Sequence, residues 1–202
     1  ITPTIKPTPT PIKTPTPSAA PISGMWKPAV NTSWQWQLTG TVDQSVNATM
    51  FNIDGFDNST SIVSSLHSKG KKVVCYLSAG TFEDWRSDAN QFPANVKGNN
   101  LEDWAGEKWL DIRNITAIGP IMKSRLDMCK TKGFDGVEFD NVDGYSNNTG
   151  FPLTAQDQIT YNKWLANEAH ARGLSAALKN DIDQINTLVS FFDFAVLLPH
   201  SW

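Results

Sequence analysis

From Trp26 onward, short apolar runs alternate with amphipathic helical stretches, and this alternation constrains the fold more than any other feature. It predicts parallel strands joined by crossover helices, because a parallel pair needs a connection long enough to bring the chain back to the same end. Six strands are expected, at residues 34–38, 49–54, 72–78, 135–140, 174–178 and 193–196. Between the second and third, Ile62, Val63 and Leu66 share a helical face, with Gly70 as the stop. Between the fourth and fifth, Thr154 and Asp157 have capping-box spacing, and Tyr161, Leu165 and Ala169 then recur every fourth residue up to Gly173. The stretch 81–114 carries Trp85, Trp104 and Trp109 among acidic residues and reads as one long loop, a length usually tied to function.

The fourth strand ends in the most informative segment, FDGVEFDNVDGY at 134–145, which holds four carboxylates: Asp135, Glu138, Asp140 and Asp143. With a side-chain period of two, Val137 and Phe139 pack one face while Glu138 and Asp140 share the other. Paired carboxylates on one face are the usual equipment for glycosidic hydrolysis, although an Asp-rich turn or a calcium loop has similar composition. Polar residues also collect at the C-terminal ends of other strands: Asp54, Ser78, and Lys179 with Asn180. A (β/α)8 barrel builds its active site at that face. Such a barrel needs eight strands and six are visible; an open six-stranded sheet would carry its site in a similar place.

The formal charge of −3 over 202 residues gives no reason to expect nucleic acid as a partner. No apolar run reaches the roughly 20 residues of a membrane span, and the start does not read as a signal peptide, so a mature or trimmed form is expected. Residues 1–23 are rich in Thr-Pro repeats, which remove backbone donors and favour extended conformation. They read as a disordered, O-glycosylated linker before a domain at 24–202. Asn31, Asn47, Asn58, Asn114 and Asn147 each open an N-glycosylation sequon, and together with the stalk they point to secretion from a eukaryote into the medium or cell wall. Cys75 shares strand parity with Val73 and Leu77, and Cys129 shares a helical face with Ile118, Met122 and Leu126. Both thiols would lie between a strand and its covering helix, so a disulfide is expected; two separate buried thiols are the alternative.

The segments FNIDGFDN, VVCYLSAGTFEDWRSD, GEKWLDIRN, GFDGVEFDNVDGY, TGFPLT, YNKWLANEAH and LKND, in that order, resemble glycoside hydrolase family 114, the endo-α-1,4-polygalactosaminidases. The resemblance runs from about residue 34 to 196 and implies a (β/α)8 TIM-type barrel, of which about six βα units are present here. It implies cleavage of α-1,4 linkages in galactosamine-rich polysaccharide, such as fungal galactosaminogalactan, with no metal or organic cofactor. Asp140 matches the family's acidic residue at the end of the fourth strand and is assigned as nucleophile. Asp54, Tyr76, Ser78, Trp85, Arg86, Asp111, Asn141, Asp143, Lys179 and Asn180 fall at motif positions around the family's sugar-binding groove. Glu138, deeper on the same strand, would orient or tune Asp140. Trp85 reads as a sugar-stacking platform or a core residue, and Trp36 and Trp164 as core. Lys179 reads as a substrate contact, with an internal ion pair as the alternative.

After the sixth strand the resemblance stops. The family continues with an Asn-Glu-Gln-Cys segment whose Glu is the second catalytic acid, whereas here FDFAV runs into LLPHSW. The reading is a C-terminally truncated member with little hydrolase activity, because glycosidases need two carboxyl groups across the bond. His200, near the terminus, does not replace the missing acid. Unpaired first and sixth strands would invite self-association. A non-catalytic, wall-associated carbohydrate-binding protein is the alternative. A family 18 chitinase pattern fails, because its catalytic Glu would fall where Val142 stands.

Overall fold

Strand parity decides which side chains meet the helices. The computed structural model describes residues 24–197, so the linker expected at 1–23 and His200 lie outside the described residues. The strands are β1 (Trp34–Gln37), β2 (Met50–Asp54), β3 (Lys72–Ser78), β4 (Thr81–Glu83), β5 (Lys97–Asn100), β6 (Glu107–Leu110), β7 (Gly136–Asp140), β8 (Ser175–Lys179) and β9 (Phe194–Val196). The helices are α1 (Thr60–Ser68), α2 (Ile115–Lys132), α3 (Ala155–Ala171) and the short α4 (Ile185–Leu188).

Six strands pair in parallel in the order β1-β2-β3-β7-β8-β9 and curl into an incomplete (β/α)8 barrel. On the outer face Phe51, Ile53, Val73, Cys75, Leu77, Val137, Phe139, Ala176 and Leu178 alternate along their strands, and all are buried. They form one cluster with Val63 and Leu66 of α1, Ile118, Met122 and Leu126 of α2, and Tyr161, Leu165 and Ala169 of α3. Each large apolar side chain buried there contributes about 1.5–3 kcal/mol. The helix ends follow their signals. The Thr154 and Asp157 side chains make a reciprocal capping box at the start of α3, the Asn114 side chain caps α2, and Gly133 at φ 92° ends it. Cys75 on β3 is disulfide-bonded to Cys129 on α2, across 54 residues of sequence.

The strand bounds differ from expectation by a residue at most, and β8 runs one residue later, which brings Lys179 inside the strand. The stretch expected as a single long loop is different in kind: β4, β6 and β5 form an antiparallel three-stranded sheet between β3 and α2. Its strands are only three or four residues long, and β5, with the sequence KGNN, has no apolar alternation to announce it. Asp135, at the opposite end of β7 from Asp140, is separate from the other carboxylates. It accepts from Lys72 Nζ at 2.7 Å and from the Val73 backbone amide at 2.9 Å, and lies 2.8 Å from His67 Nε2.

The residue before β9 ties three parts of the chain together. Asp193 meets Lys27 Nζ and His170 Nε2, each at 2.8 Å, and accepts from the Ala176 amide at 2.9 Å. Burial alone would raise its pKa, but these hydrogen bonds outweigh it and hold the carboxyl at about 2. A depressed acid stabilises the fold above its unfolded pKa of about 4 and loses that contribution as pH falls through its folded value. Lys27 is half exposed, so the contribution is discounted to about 1–2 kcal/mol. Urea melts of wild type and Asp193→Asn should therefore differ at pH 4 and converge toward pH 2; a constant gap would contradict this account.

Candidate active site

Asp140 is the last residue of β7, paired in register with Ser78 at the end of β3. The chain turns sharply after it because Asn141 is left-handed, with φ 59°. The turn is pinned from β3: the amides of Ala79 and Gly80 both donate to the Asp140 carbonyl, at 3.0 and 3.1 Å. A Cβ on Gly80 would overlap the Asn141 backbone, so this approach requires glycine.

Both oxygens of the Asp140 side chain are held. Tyr76 donates its hydroxyl to Oδ2 at 2.6 Å, Lys179 Nζ lies 2.7 Å from Oδ1, and the Asn141 amide donates to Oδ1 at 2.8 Å. These partners arise from parity: Tyr76, Asp140 and Lys179 all point to the inner face of the curled sheet. Burial, and then the charge of Asp140, push the Tyr76 phenol well above its ordinary pKa, so it remains a donor. Lys179 also sits 5.6 Å above the Trp36 ring and 6.0 Å from that of Tyr76.

Two networks support this carboxylate. In one, Arg86 grips Asp54 with two hydrogen bonds of 2.9 and 2.6 Å and reaches Glu83 at 2.8 Å. Burial opposes the Arg86 charge, but the Glu83 and Asp54 hydrogen bonds outweigh it and hold its pKa above the ordinary value. Below them the fully buried Arg125 pairs with Asp88 at 2.7 Å and donates to the Ser78 carbonyl at 2.9 Å. In the other, Glu107 accepts from the Thr81 hydroxyl and, at 3.1 Å, from the Asn141 side-chain amide; Ser78 and Thr81 share a further hydrogen bond. Burial, followed by the charges of Glu83 and Asp140, pushes Glu107 up to about 7. Glu138 is completely buried, and burial followed by the Asp140 charge pushes it up to about 8 against the lowering effect of Lys179 and the Trp36 indole.

A cavity of about 1310 Å³ opens above Asp140. That exceeds the roughly 300–1,000 Å³ of a drug-sized ligand site and suits an oligomer. Of the residues expected around the groove, Asp54, Tyr76, Trp85, Arg86, Asn141, Asp143, Lys179 and Asn180 line it with Asp140. Three expected residues do not line it. Ser78 and Glu138 lie buried beneath, and Asp111 turns away to pair with Arg113 at 2.7 Å. Trp85 is 50% exposed, which excludes core packing; Trp36, expected in the core, is half-buried and lines the cavity, while Trp164 stacks on Tyr161.

Sequence reasoning missed Trp104, Glu107 and Asp181. Trp104 is 60% exposed on the cavity wall. Asp181, whose Oδ1 is buried without a hydrogen-bond partner, follows Lys179 by two residues and is left-handed, at φ 45°. Burial and then the Asp143 charge push it up to about 7. Strained backbone directly after two of the strand ends, at Asn141 and at Asn180–Asp181, is the kind of outlier found at functional sites. Among the sequons, Asn31 and Asn47 are exposed, Asn58 and Asn147 donate to the carbonyls of Asp54 and Asp143, and Asn114 caps α2. No described helix is long and apolar enough to cross a membrane.

Comparisons with known proteins agree with this geometry. The profile of glycoside-hydrolase family GH114 matches residues 15–197. The crystal structure of Aspergillus fumigatus Ega3 in complex with galactosamine superposes with a TM-score of 0.83 at 45% identity, covering 85% of this chain and 68% of that one. The glycoside hydrolase domain of PelA from Pseudomonas aeruginosa superposes at 0.65 with 14% identity, covering 82% and 65%. A trehalulose synthase, MutB, superposes at 0.58 with 10% identity, covering 82% and 49%. At these low identities the last two show the fold alone. No curated protein matches the chain.

Proposed function

Because the chain belongs to glycoside-hydrolase family GH114, we propose that it hydrolyses internal α-1,4 linkages of a galactosamine-containing polysaccharide, with Asp140 as the nucleophile. It is a glycosidase by family; the substrate and the residue roles are this reading. The observation that carries it is the Asp140 carboxylate, fixed by Tyr76 and Lys179 beneath a cavity that Asp143, Asp181 and Asp183 also line. Carboxylates in a groove favour a cationic ligand, and the ammonium of a galactosamine ring supplies that charge. The related Ega3 structure contains galactosamine. Glu138 would tune Asp140 from below, and Trp85 would stack on a ring. Asp54 and Arg86 shape the groove as a mutually neutralised pair.

Glycosidic hydrolysis needs a second carboxyl group, and the family's Glu does not follow β9 here. Glu107 is hydrogen-bonded within its network and Glu138 lies below the groove, which leaves Asp143, Asp181 and Asp183 on the cavity wall as less well placed substitutes. Weak turnover by residues 1–202 alone belongs to this reading. Five sequons, a disulfide and a Thr-Pro-rich start support secretion, fungal origin and glycosylation at exposed Asn31 and Asn47. The 1–23 segment would act as the linker to the 24–202 domain.

The test is release of soluble oligosaccharides from α-1,4-galactosamine polymer, comparing this chain with one extended beyond Trp202 by a relative's C-terminal segment. Oligosaccharides from the extended chain, and fewer from residues 1–202, are expected. No product from either chain would overturn the hydrolase reading, and binding without product would favour the carbohydrate-binding alternative. Equal turnover by both would show that residues 1–202 carry full activity. Sedimentation of the two chains decides whether open barrel edges promote self-association.

A further inference from the structure

Glu107 opens β6 on the inserted antiparallel sheet, far in sequence from the barrel strand that carries Asp140. Only 5% of it is exposed, and its Oε1 is an acceptor shared by three side chains. Thr81 Oγ1 donates to it, Asn141 Nδ2 donates at 3.1 Å, and Ser78 Oγ lies at 3.5 Å. Asn141 Nδ2 is also 3.0 Å from Ser78 Oγ and 3.1 Å from Thr81 Oγ1, so its amide is seated in a polar socket. The backbone N–H of the same residue donates to Asp140 Oδ1 at 2.8 Å. Asn141 is held at φ 59°, a conformation that a side chain without such anchors leaves readily. Asn141 thus has two jobs: its side chain is gripped by the inserted sheet, and its backbone fixes one oxygen of Asp140.

We infer that Glu107 is a positioning residue for Asp140 that acts through Asn141, so that the inserted sheet sets the aim of the nucleophile. The inference rests on the assignment of Asp140 above. It also explains why an acidic side chain is buried at the junction of the two sheets, a placement that costs stability without a compensating role. Misplacing a reacting group by about 1 Å costs on the order of 10² in rate. Substrate binding, which uses the whole groove, is affected far less.

Three variants test it. Glu107→Ala removes the acceptor, Glu107→Asp keeps the carboxyl group but withdraws it by one methylene, and Glu107→Gln keeps an acceptor oxygen in place. Glu107→Ala and Glu107→Asp should each lower kcat by about 10–100-fold with KM within about twofold, and Glu107→Gln should recover most of the loss. Hydrogen exchange of the Asn141 backbone amide gives a readout that needs no turnover. It should accelerate at least about tenfold in Glu107→Asp and stay near wild type in Glu107→Gln, with α2 amides unchanged. If Glu107→Ala fails to melt cooperatively, the Asp and Gln variants carry the test. Unchanged Asn141 exchange in Glu107→Asp, or a kcat within twofold of wild type, would overturn the proposal. The rates are read in the chain extended beyond Trp202; no product from that chain with Glu107 intact would sink the hydrolase reading instead, and the exchange experiment would still decide the positioning role.

Discussion

Asp140→Asn should reduce cleavage of galactosamine polymer by about 10³-fold or more, while the protein still folds and still binds the polymer. The substitution is nearly isosteric, so the loss is one of charge and nucleophilicity. Tyr76 can still donate to the amide oxygen, while the Asn141 backbone amide loses its acceptor at the Oδ1 position. Lys179 loses its ion-pair partner, and burial would normally make that expensive. Both side chains of the pair border the open cavity, at 11% and 13% exposure, so water screens the orphaned ammonium and the stability cost falls well below that of a fully buried pair. Initial-rate assays on the polymer, thermal melts and a binding titration separate these effects. Activity within tenfold of wild type in a cooperatively melting Asp140→Asn variant would remove Asp140 from the nucleophile role.

The second large effect is on stability. Removing the Cys75–Cys129 disulfide should cost about 4 kcal/mol, because it closes a loop of 54 residues and so restricts the unfolded chain. A domain of this size has roughly 5–15 kcal/mol in total, so the melting temperature of Cys75→Ala/Cys129→Ala should fall by about 10 °C. Both sulfurs are fully buried between β3 and α2, so the native protein should resist reductant that cleaves the bond readily in denaturant. Comparing the reduced protein with the double variant separates loop closure from the packing lost with the sulfur atoms. A melting temperature within about 2 °C of wild type for the double variant would refute the assigned contribution.

Much of the fold was legible because it rests on local periodicity. The alternation of strand and helix patterns, the capping box at Thr154 and Asp157, and the Cys75 and Cys129 parities each depend on residues a few positions apart. Parity likewise put Glu138 and Asp140 on one face and apolar Val137 and Phe139 on the other. The inserted sheet escaped notice because β4, β5 and β6 are held by pairing to one another rather than by any alternation of their own. Asp111 was misplaced for a related reason: it follows a short strand of that sheet and takes a local partner, Arg113.

Site chemistry was legible to a smaller degree. Asp140 could be picked out from its place at a strand end, and so could Asp54, Lys179 and Asn180, which line the cavity with it. Their pairings could not. Lys179 approaches Asp140 because β8 lies beside β7, and Arg86 meets Asp54 across 32 residues because the inserted sheet folds back over β2. Glu107 carries no signal beyond its presence in a matching segment; its contact with Asn141 spans 34 residues and exists only when the two sheets meet.

By itself, then, the sequence determined a parallel α/β half-barrel with a carboxylate at the end of its fourth βα strand, since hydrophobic period and strand-end polarity are written in neighbouring residues. Only the tertiary structure decided which groups hold that carboxylate, which acids are driven toward neutrality, and which tryptophans face the groove. Those properties depend on burial and on distances between segments far apart in the chain, and neither exists until the sheets have closed on one another.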